Sequence, residues 1–180
     1  LLSMADERFS PTLLRFATIY GLSGRTRFDL VVNLLAAKAK TDGVITVHGG
    51  DQWRPFVHVS DAALGVVKAL EAPLELVANQ TFNVGSDSQN YTIRQVGELI
   101  HERAVGSQLD VDENSTDRRN YRVSFAKIRQ QLGFEPEWTL EEGIDQVFNA
   151  VASGSVTDYR DARYSNVKYL SQEGAIAVIR

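Results

Sequence analysis

The sequence predicts an α/β fold, a small mixed sheet with helices packed on it. Short runs rich in β-branched and aromatic residues, at 12–20, 44–48 and 81–84, alternate with longer segments whose apolar residues recur at helical spacing. Glycines punctuate both kinds of segment: Gly21, Gly49 and Gly85 follow the strand-like runs, and Gly43 and Gly133 follow the helical ones. Alternation of this kind marks an α/β domain rather than separate layers of one element type.

Taken in order, residues 1–9 read as the end of a helix broken by Ser10-Pro11. The run 12–20 reads as a buried strand, followed by a polar loop that carries Arg25 and Arg27. Phe28, Leu30, Val31, Leu34, Leu35 and Ala39 then repeat at helical spacing, giving a helix whose apolar stripe suits a core or a homodimer face. A strand at 44–48 runs into the turn Gly49-Gly50-Asp51. Pro55 lacks a backbone donor, so residues 56–59 are expected to form a short or edge strand. Ser60 or Asp61 supplies a short oxygen-bearing cap for a helix ending at Glu71. Thr92 and Gln95 have capping-box spacing, which predicts a helix over 93–103; Thr139 and Glu142 repeat the signal for a helix ending near Val151. Between them, 109–111 suits a strand and 124–132 a helix. The tail from Ser153 has little periodicity before the apolar stretch 175–179.

Composition narrows the function. The 180 residues are 43% hydrophobic and 23% charged, ordinary for a globular domain or part of a larger one. A net charge of −4 argues against a general nucleic-acid binder. No apolar run approaches the roughly 20 residues that cross a bilayer, and the start lacks the pattern of a secretory signal. Without cysteine there is neither a disulfide framework nor a thiolate zinc site. These features point to a cytoplasmic protein that binds neither membrane nor nucleic acid. The chain begins without an initiator Met inside an amphipathic segment, as a fragment would. His48, His58 and His101 are not spaced as metal ligands, and Trp53 and Trp138 read as packing residues.

Arginines are the residues with a chemical task. Arg25 and Arg27 follow a strand end, where α/β proteins place ligands. Arg54 is flanked by Trp53 and Phe56, and Arg118-Arg119 lie in a polar loop. A guanidinium fork matches phosphate oxygens, and an aromatic neighbour can cover a base or ribose. On pattern alone these are equally ordinary surface arginines.

Four stretches, in order, carry a resemblance: residues 14–21 (LRFATIYG), 49–61 (GGDQWRPFVHVSD), 81–85 with 91–93 (TFNVG, YTI), and Asp117-Arg118-Arg119 with Lys127, 132–136 and 140–144. Together the chain resembles, over about residues 13–151, the extended short-chain dehydrogenases of the NAD-dependent nucleotide-sugar epimerase and dehydratase family. The resemblance implies the C-terminal part of a Rossmann-type enzyme: 1–21 the end of the cofactor domain, 22–151 the substrate-binding region and 152–180 a tail. It implies a nucleotide diphosphate sugar as partner, with Arg54 and Arg119 on the diphosphate, Arg118 as the alternative to Arg119, and Arg27 and Asn33 near the sugar or base. Ala17, Thr18 and Tyr20 match the strand that ends beside the cofactor, NAD or NADP, which would sit in an N-terminal half preceding residue 1 together with the catalytic residues. Two positions depart from the family pattern: Ala17-Thr18 replaces a usual Asn, and Gln95 a usual Glu.

Tyr164 and Lys168 have the Tyr-x-x-x-Lys spacing of the family's catalytic pair, but lie downstream of the strand that should follow it, and no Gly-rich fingerprint accompanies them. The spacing therefore reads as chance. Two other readings of the chain are a non-catalytic nucleotide-sugar-binding or regulatory module, and a reductase of a substrate without a nucleotide.

Overall fold

The run 12–20 folds into two short strands instead of one. β1 (Leu13–Phe16) and β2 (Thr18–Tyr20) are separated at Ala17, whose N–H donates to the carbonyl of Val84 (3.0 Å). This computed structural model describes residues 1–113 and 117–173; the apolar stretch 175–179 lies outside them. There follow α1 (Val31–Asp42), β3 (Val44–His48), β4 (Trp53–His58), α2 (Val59–Glu71), α3 (Leu74–Val77), β5 (Thr81–Val84), β6 (Asn90–Thr92), α4 (Ile93–Arg103), β7 (Gln108–Asp112), α5 (Ala126–Leu132), α6 (Leu140–Ala152) and α7 (Asn166–Glu173). They form a parallel pair β1–β5, a three-stranded sheet in the order β2-β4-β6, and a parallel pair β3–β7. The α/β expectation holds, with the sheet divided into three small pieces.

The chain divides into two compact units, each built from three sequence segments. The first comprises residues 1–19, 53–91 and 120–140. Its core gathers Val57, Ala62, Phe82, Val84, Phe125, Ile128 and Phe134. Full burial of such side chains is worth about 1.5–3 kcal/mol each. Lys127 fastens α5 to the start of β5, its Nζ donating to the Thr81 carbonyl (2.9 Å) and Gln80 Oε1 (2.8 Å).

Three expectations are corrected in this unit. β4 is the central strand of its sheet and spans six residues, with Pro55 buried inside it. Its neighbours β2 and β6 have three residues each, so neither ladders the whole of β4. Pro55 faces a cavity beside the β1–β2 break, where no ladder donor is required. The cap of α2 is neither Ser60 nor Asp61: His58 Nδ1 accepts from the Ser60 amide (3.3 Å). Asp61 is 1% exposed and receives the amides of Glu137 (2.9 Å) and Trp138 (3.1 Å), while His58 stacks on the Trp138 ring at 3.9 Å. Residues 1–9 form only a 3-10 turn at Leu2–Met4, because the Asp6 carboxylate takes the Arg8 and Phe9 amides (both 2.8 Å) and offers the backbone a local turn in place of a helix.

The second unit comprises residues 20–52, 92–119 and 141–180. Here α1 and α4 pack on the β3–β7 pair through Val32, Leu35, Ala36, Ala39, Ile45, Val47, Val96 and Ile100, all buried. Close approach needs Gly97, where a Cβ would lie 2.6 Å from Val47. Arg103 of α4 pairs with Asp145 of α6 (Nε to Oδ1, 2.9 Å), which holds the Asp145 carboxyl below the usual range. The capping box at Thr92 and Gln95 is present as expected. α1 begins at Val31, later than its apolar pattern suggests, since Phe28 is buried between the rings of Tyr159 and Tyr164 instead of extending the helix. The tail is also more ordered than its sequence suggests, with a 3-10 turn at Ala162–Tyr164 and the helix α7.

Two predictions follow from buried polar contacts. Asp61→Ala leaves the Glu137 and Trp138 amides without their acceptor and should cost about 2–4 kcal/mol in chemical denaturation, with Asp61→Asn milder; an unchanged midpoint would contradict this role. Burial and the bond to Asp42 push the Tyr159 hydroxyl up to about 12. The unfolded phenol ionises near 10, so this contribution is complete below about pH 10 and fades as pH rises through about 12. Tyr159→Phe should flatten that part of the stability curve, and an unaltered curve would remove Tyr159 as its source.

Candidate functional site

The second unit contains a cavity of about 520 Å³. Val31, Leu34 and Leu35 of α1, Val47 of β3 and Ile93 of α4 give it an apolar lining. Thr46, His48, Gln52, Asp29 and Asp117 supply polar groups. An apolar pocket of this size with a few placed polar groups is the usual form of a small-ligand site.

Local hydrogen bonds explain how those residues are placed. Gly49 and Gly50 have φ of 81° and 116°, which lets the chain reverse after β3. Gln52 braces the reversal, its Oε1 accepting the Gly50 amide (2.7 Å) and its Nε2 donating to the His48 carbonyl (2.9 Å). The turn then receives the start of α4: Ile93 N–H donates to the Gln52 carbonyl (3.2 Å) and Arg94 N–H to that of Gly50 (2.9 Å). His48 Nδ1 lies 3.3 Å from Asp112 Oδ2 at the last registered pair of β3 and β7.

Two arginine–aspartate pairs flank the cavity. Arg27 grips Asp29 with Nε and Nη2, both at 2.9 Å. Burial pushes the Asp29 carboxyl up, but the Arg27 bonds and the Asn166 amide outweigh it and hold it below the ordinary carboxylate range. Arg119 grips Asp117 in the same way, at 2.9 and 2.8 Å, and is 73% exposed at its side chain. An exposed pair of this kind is worth only about 0–1 kcal/mol. The neighbouring Arg118 is exposed. Asn33 is buried and engaged with the loop, its Oδ1 accepting the Gly21 amide (3.0 Å) and its Nδ2 donating to the carbonyls of Gly21 (3.4 Å) and Arg27 (3.1 Å).

Arg54 belongs to the first unit, whereas Arg27, Asn33, Arg118 and Arg119 belong to the second. It is 6% exposed, donates from Nη1 to the Trp53 carbonyl (2.7 Å), and lies over the Tyr121 ring at 5.3 Å. Asn120 accepts the Trp53 amide (3.0 Å), and Arg122 lies over the Trp53 ring at 4.5 Å. Nearby in this unit, a cavity of about 340 Å³ is bordered by Arg15, Phe16, Ala17, Pro55, Asn83, Tyr121, Val123 and Phe125. Ala17 is therefore at a cavity, Thr18 is half-buried in β2, and Tyr20 is 1% exposed in the second unit.

Sequence reasoning passed over Asp29, Gln52 and Tyr121 as site components. The two short triplets Arg27-Phe28-Asp29 and Asp117-Arg118-Arg119 were the available signal, each placing opposite charges two residues apart in a loop. Tyr164 ends a 3-10 turn and packs edge-on against Phe28 (5.1 Å), while Lys168 is in α7 and donates to the Arg160 carbonyl (3.4 Å). They share no helix. Among the described residues there is no cluster suited to a metal ion, and no helix is long and apolar enough to cross a membrane.

Among the described residues no strand-to-helix turn carries the Gly-x-Gly-x-x-Gly spacing that cradles a dinucleotide pyrophosphate. A cradle requires glycines whose missing Cβ leaves room for phosphate at a strand-to-helix turn. At Gly65, Gly85 and Gly97 that room is already taken by Val84, Phe125 and Val47.

This architecture resembles solved structures and curated proteins. The UDP-glucuronic acid 4-epimerase from Bacillus cereus, solved in complex with UDP-glucuronic acid and NAD, superposes with a TM-score of 0.69 at 21% identity, over 81% of this chain and 46% of that one. The fold is thus that of Rossmann-type epimerases. Residues 1–85 match the NAD dependent epimerase/dehydratase family. The UDP-glucuronate 4-epimerase of Thermodesulfobacterium geofontis is 26% identical over 142 residues, 77% of this chain and 42% of that protein. The dTDP-glucose 4,6-dehydratase of Xanthomonas campestris pv. campestris (strain ATCC 33913) is 29% identical over 131 residues, 66% and 36% respectively. The chain spans less than half the length of these relatives.

The Tyr164 packing gives a direct prediction. Tyr164→Phe keeps the ring against Phe28 and should leave the unfolding midpoint within about 0.5 kcal/mol of the parent. Tyr164→Ala removes a half-buried ring and should lose about 1–2 kcal/mol. A large effect of the Phe variant would mean the hydroxyl has a task that the packing does not explain.

Proposed function

We propose that this chain is the substrate-binding part of an NAD(P)-dependent nucleotide-sugar epimerase or dehydratase, and that it takes the nucleotide into the cavity of its second unit. The observation that carries the reading is the cavity itself. Its apolar lining suits the faces of a base and its polar groups suit base edges and ribose hydroxyls, while the exposed Arg119 side chain stands at Asp117, which lines the cavity. Arg119 turns from Asp117 to the diphosphate, with Arg118 beside it as a second cation. Arg27 meets the sugar or base side, and Asn33 serves the site by holding the backbone of Gly21 and Arg27. Arg54, in the first unit, is a diphosphate contact on the family resemblance, and its guanidinium is ordered over Tyr121. A charge-assisted, bidentate contact of this type holds a diphosphate in one orientation, which is how remote binding energy positions a reacting sugar.

NAD(P), when bound by the whole enzyme, supplies hydride transfer to and from a sugar carbon. The described residues offer neither the Gly-x-Gly-x-x-Gly spacing of its pyrophosphate cradle nor a Tyr-x-x-x-Lys pair on one helix, so the chain by itself is expected to bind nucleotide sugar without turning it over.

Thermal unfolding in the presence of UDP-, dTDP-, GDP- and CDP-sugars tests this reading. At least one should raise the midpoint, and Arg119→Ala should weaken the protection by roughly tenfold in ligand concentration. Absence of protection by every nucleotide, or equal protection in Arg119→Ala, would overturn it.

A further inference from the structure

Residues 159–169 fasten the loop that borders the nucleotide cavity. The Phe28 amide donates to the Tyr164 carbonyl (3.0 Å), and the Phe28 ring meets those of Tyr164 and Tyr159 edge-on at 5.1 and 6.2 Å. Arg25 donates to the Arg163 carbonyl (3.2 Å) and to Asn166 Oδ1 (2.5 Å), and its guanidinium lies over Tyr169 at 5.2 Å. Asn166 N–H, at the first residue of α7, donates to Asp29 Oδ2 (3.1 Å). Asp29 is thus held from two sides, by Arg27 and by the start of α7, and it also lines the cavity.

We propose that residues 159–169 form a clasp that sets the position of Asp29 and Arg27, and through them the affinity of the cavity for a nucleotide. The proposal rests on reading that cavity as the nucleotide site. Asn166 and Arg25 act as positioning residues, since they reach the cavity only through the loop. The coupling is reciprocal: whatever the clasp adds to nucleotide affinity, bound nucleotide adds to the clasp.

Asn166→Pro isolates the contact. Proline is tolerated at the first position of a helix, and Ser165 already has the extended backbone (φ −124°, ψ 123°) favoured before proline. The substitution removes both the amide bonded to Asp29 and the side-chain acceptor of Arg25, whereas Asn166→Ala removes only the acceptor. Hydrogen exchange on the ligand-free full chain should show amides of residues 26–30 opening roughly tenfold faster in Asn166→Pro, with a smaller change in Asn166→Ala. Calorimetric titration with UDP, dTDP and GDP should show the tightest binder weakened roughly tenfold by Asn166→Pro. Arg25→Ala, a change at an exposed side chain, should move both readouts in the same direction and serves if the proline variant does not fold.

Unchanged exchange at 26–30 in every folded variant would overturn the clasp. Faster exchange with undiminished affinity would overturn its link to the cavity. If the parent chain binds none of the three nucleotides, the nucleotide reading of the cavity fails and takes that link with it, while the exchange result still decides whether the clasp exists.

Discussion

The first amides of a helix have no partner within the helix, and in the second unit the start of α4 meets that requirement with the turn after β3. Ile93 donates to Gln52, Arg94 to Gly50, and Gln95 to the Thr92 hydroxyl. Because these bonds fix the helix start against the turn, they also fix where Ile93, Gln52 and His48 stand around the cavity. The turn is possible only because two consecutive glycines accept positive φ. Gln52 braces that turn through both ends of its side-chain amide. The same economy governs Asp61, whose buried carboxylate ties the start of α2 to Glu137 and Trp138 and so joins two stretches that are distant in sequence.

Features encoded within a few residues were legible in the sequence. Thr92 and Gln95 announce α4, Gly43 ends α1 with φ 71°, and the alternation of residues 44–48 gives β3 directly. Features decided by distant partners were not. Phe28 fits a helical stripe, yet its ring is buried by Tyr159 and Tyr164, more than a hundred positions away. Pro55 speaks against a central strand until the brevity of β2 and β6 is known. Asp61 looks like a cap because nothing local reveals that two amides from 137–138 will claim it. For the site, the arginines were visible as residue types, but their aspartate partners and the role of Asn33 in holding the loop required the folded chain.

The two arginine–aspartate pairs show how similar sequence triplets acquire different duties. The Arg119 side chain is largely in solvent and Asp117 is partly exposed, so their mutual attraction is weak. Arg27 and Asp29 are more enclosed, and the Asn166 amide adds a third partner that helps keep the Asp29 carboxyl ionised. The second pair, with three partners on Asp29, keeps a loop in shape.

The proposed occupancy of the second-unit cavity is tested most directly by following backbone amide resonances while UDP is added to the intact chain. Saturable shifts centred on Thr46, Val47, His48 and Ile93 are expected, with Arg119 following. Shifts confined to residues 85–88 and 129, which border a separate cavity in the first unit, would contradict the assignment, as would no shifts at saturating UDP, dTDP and GDP.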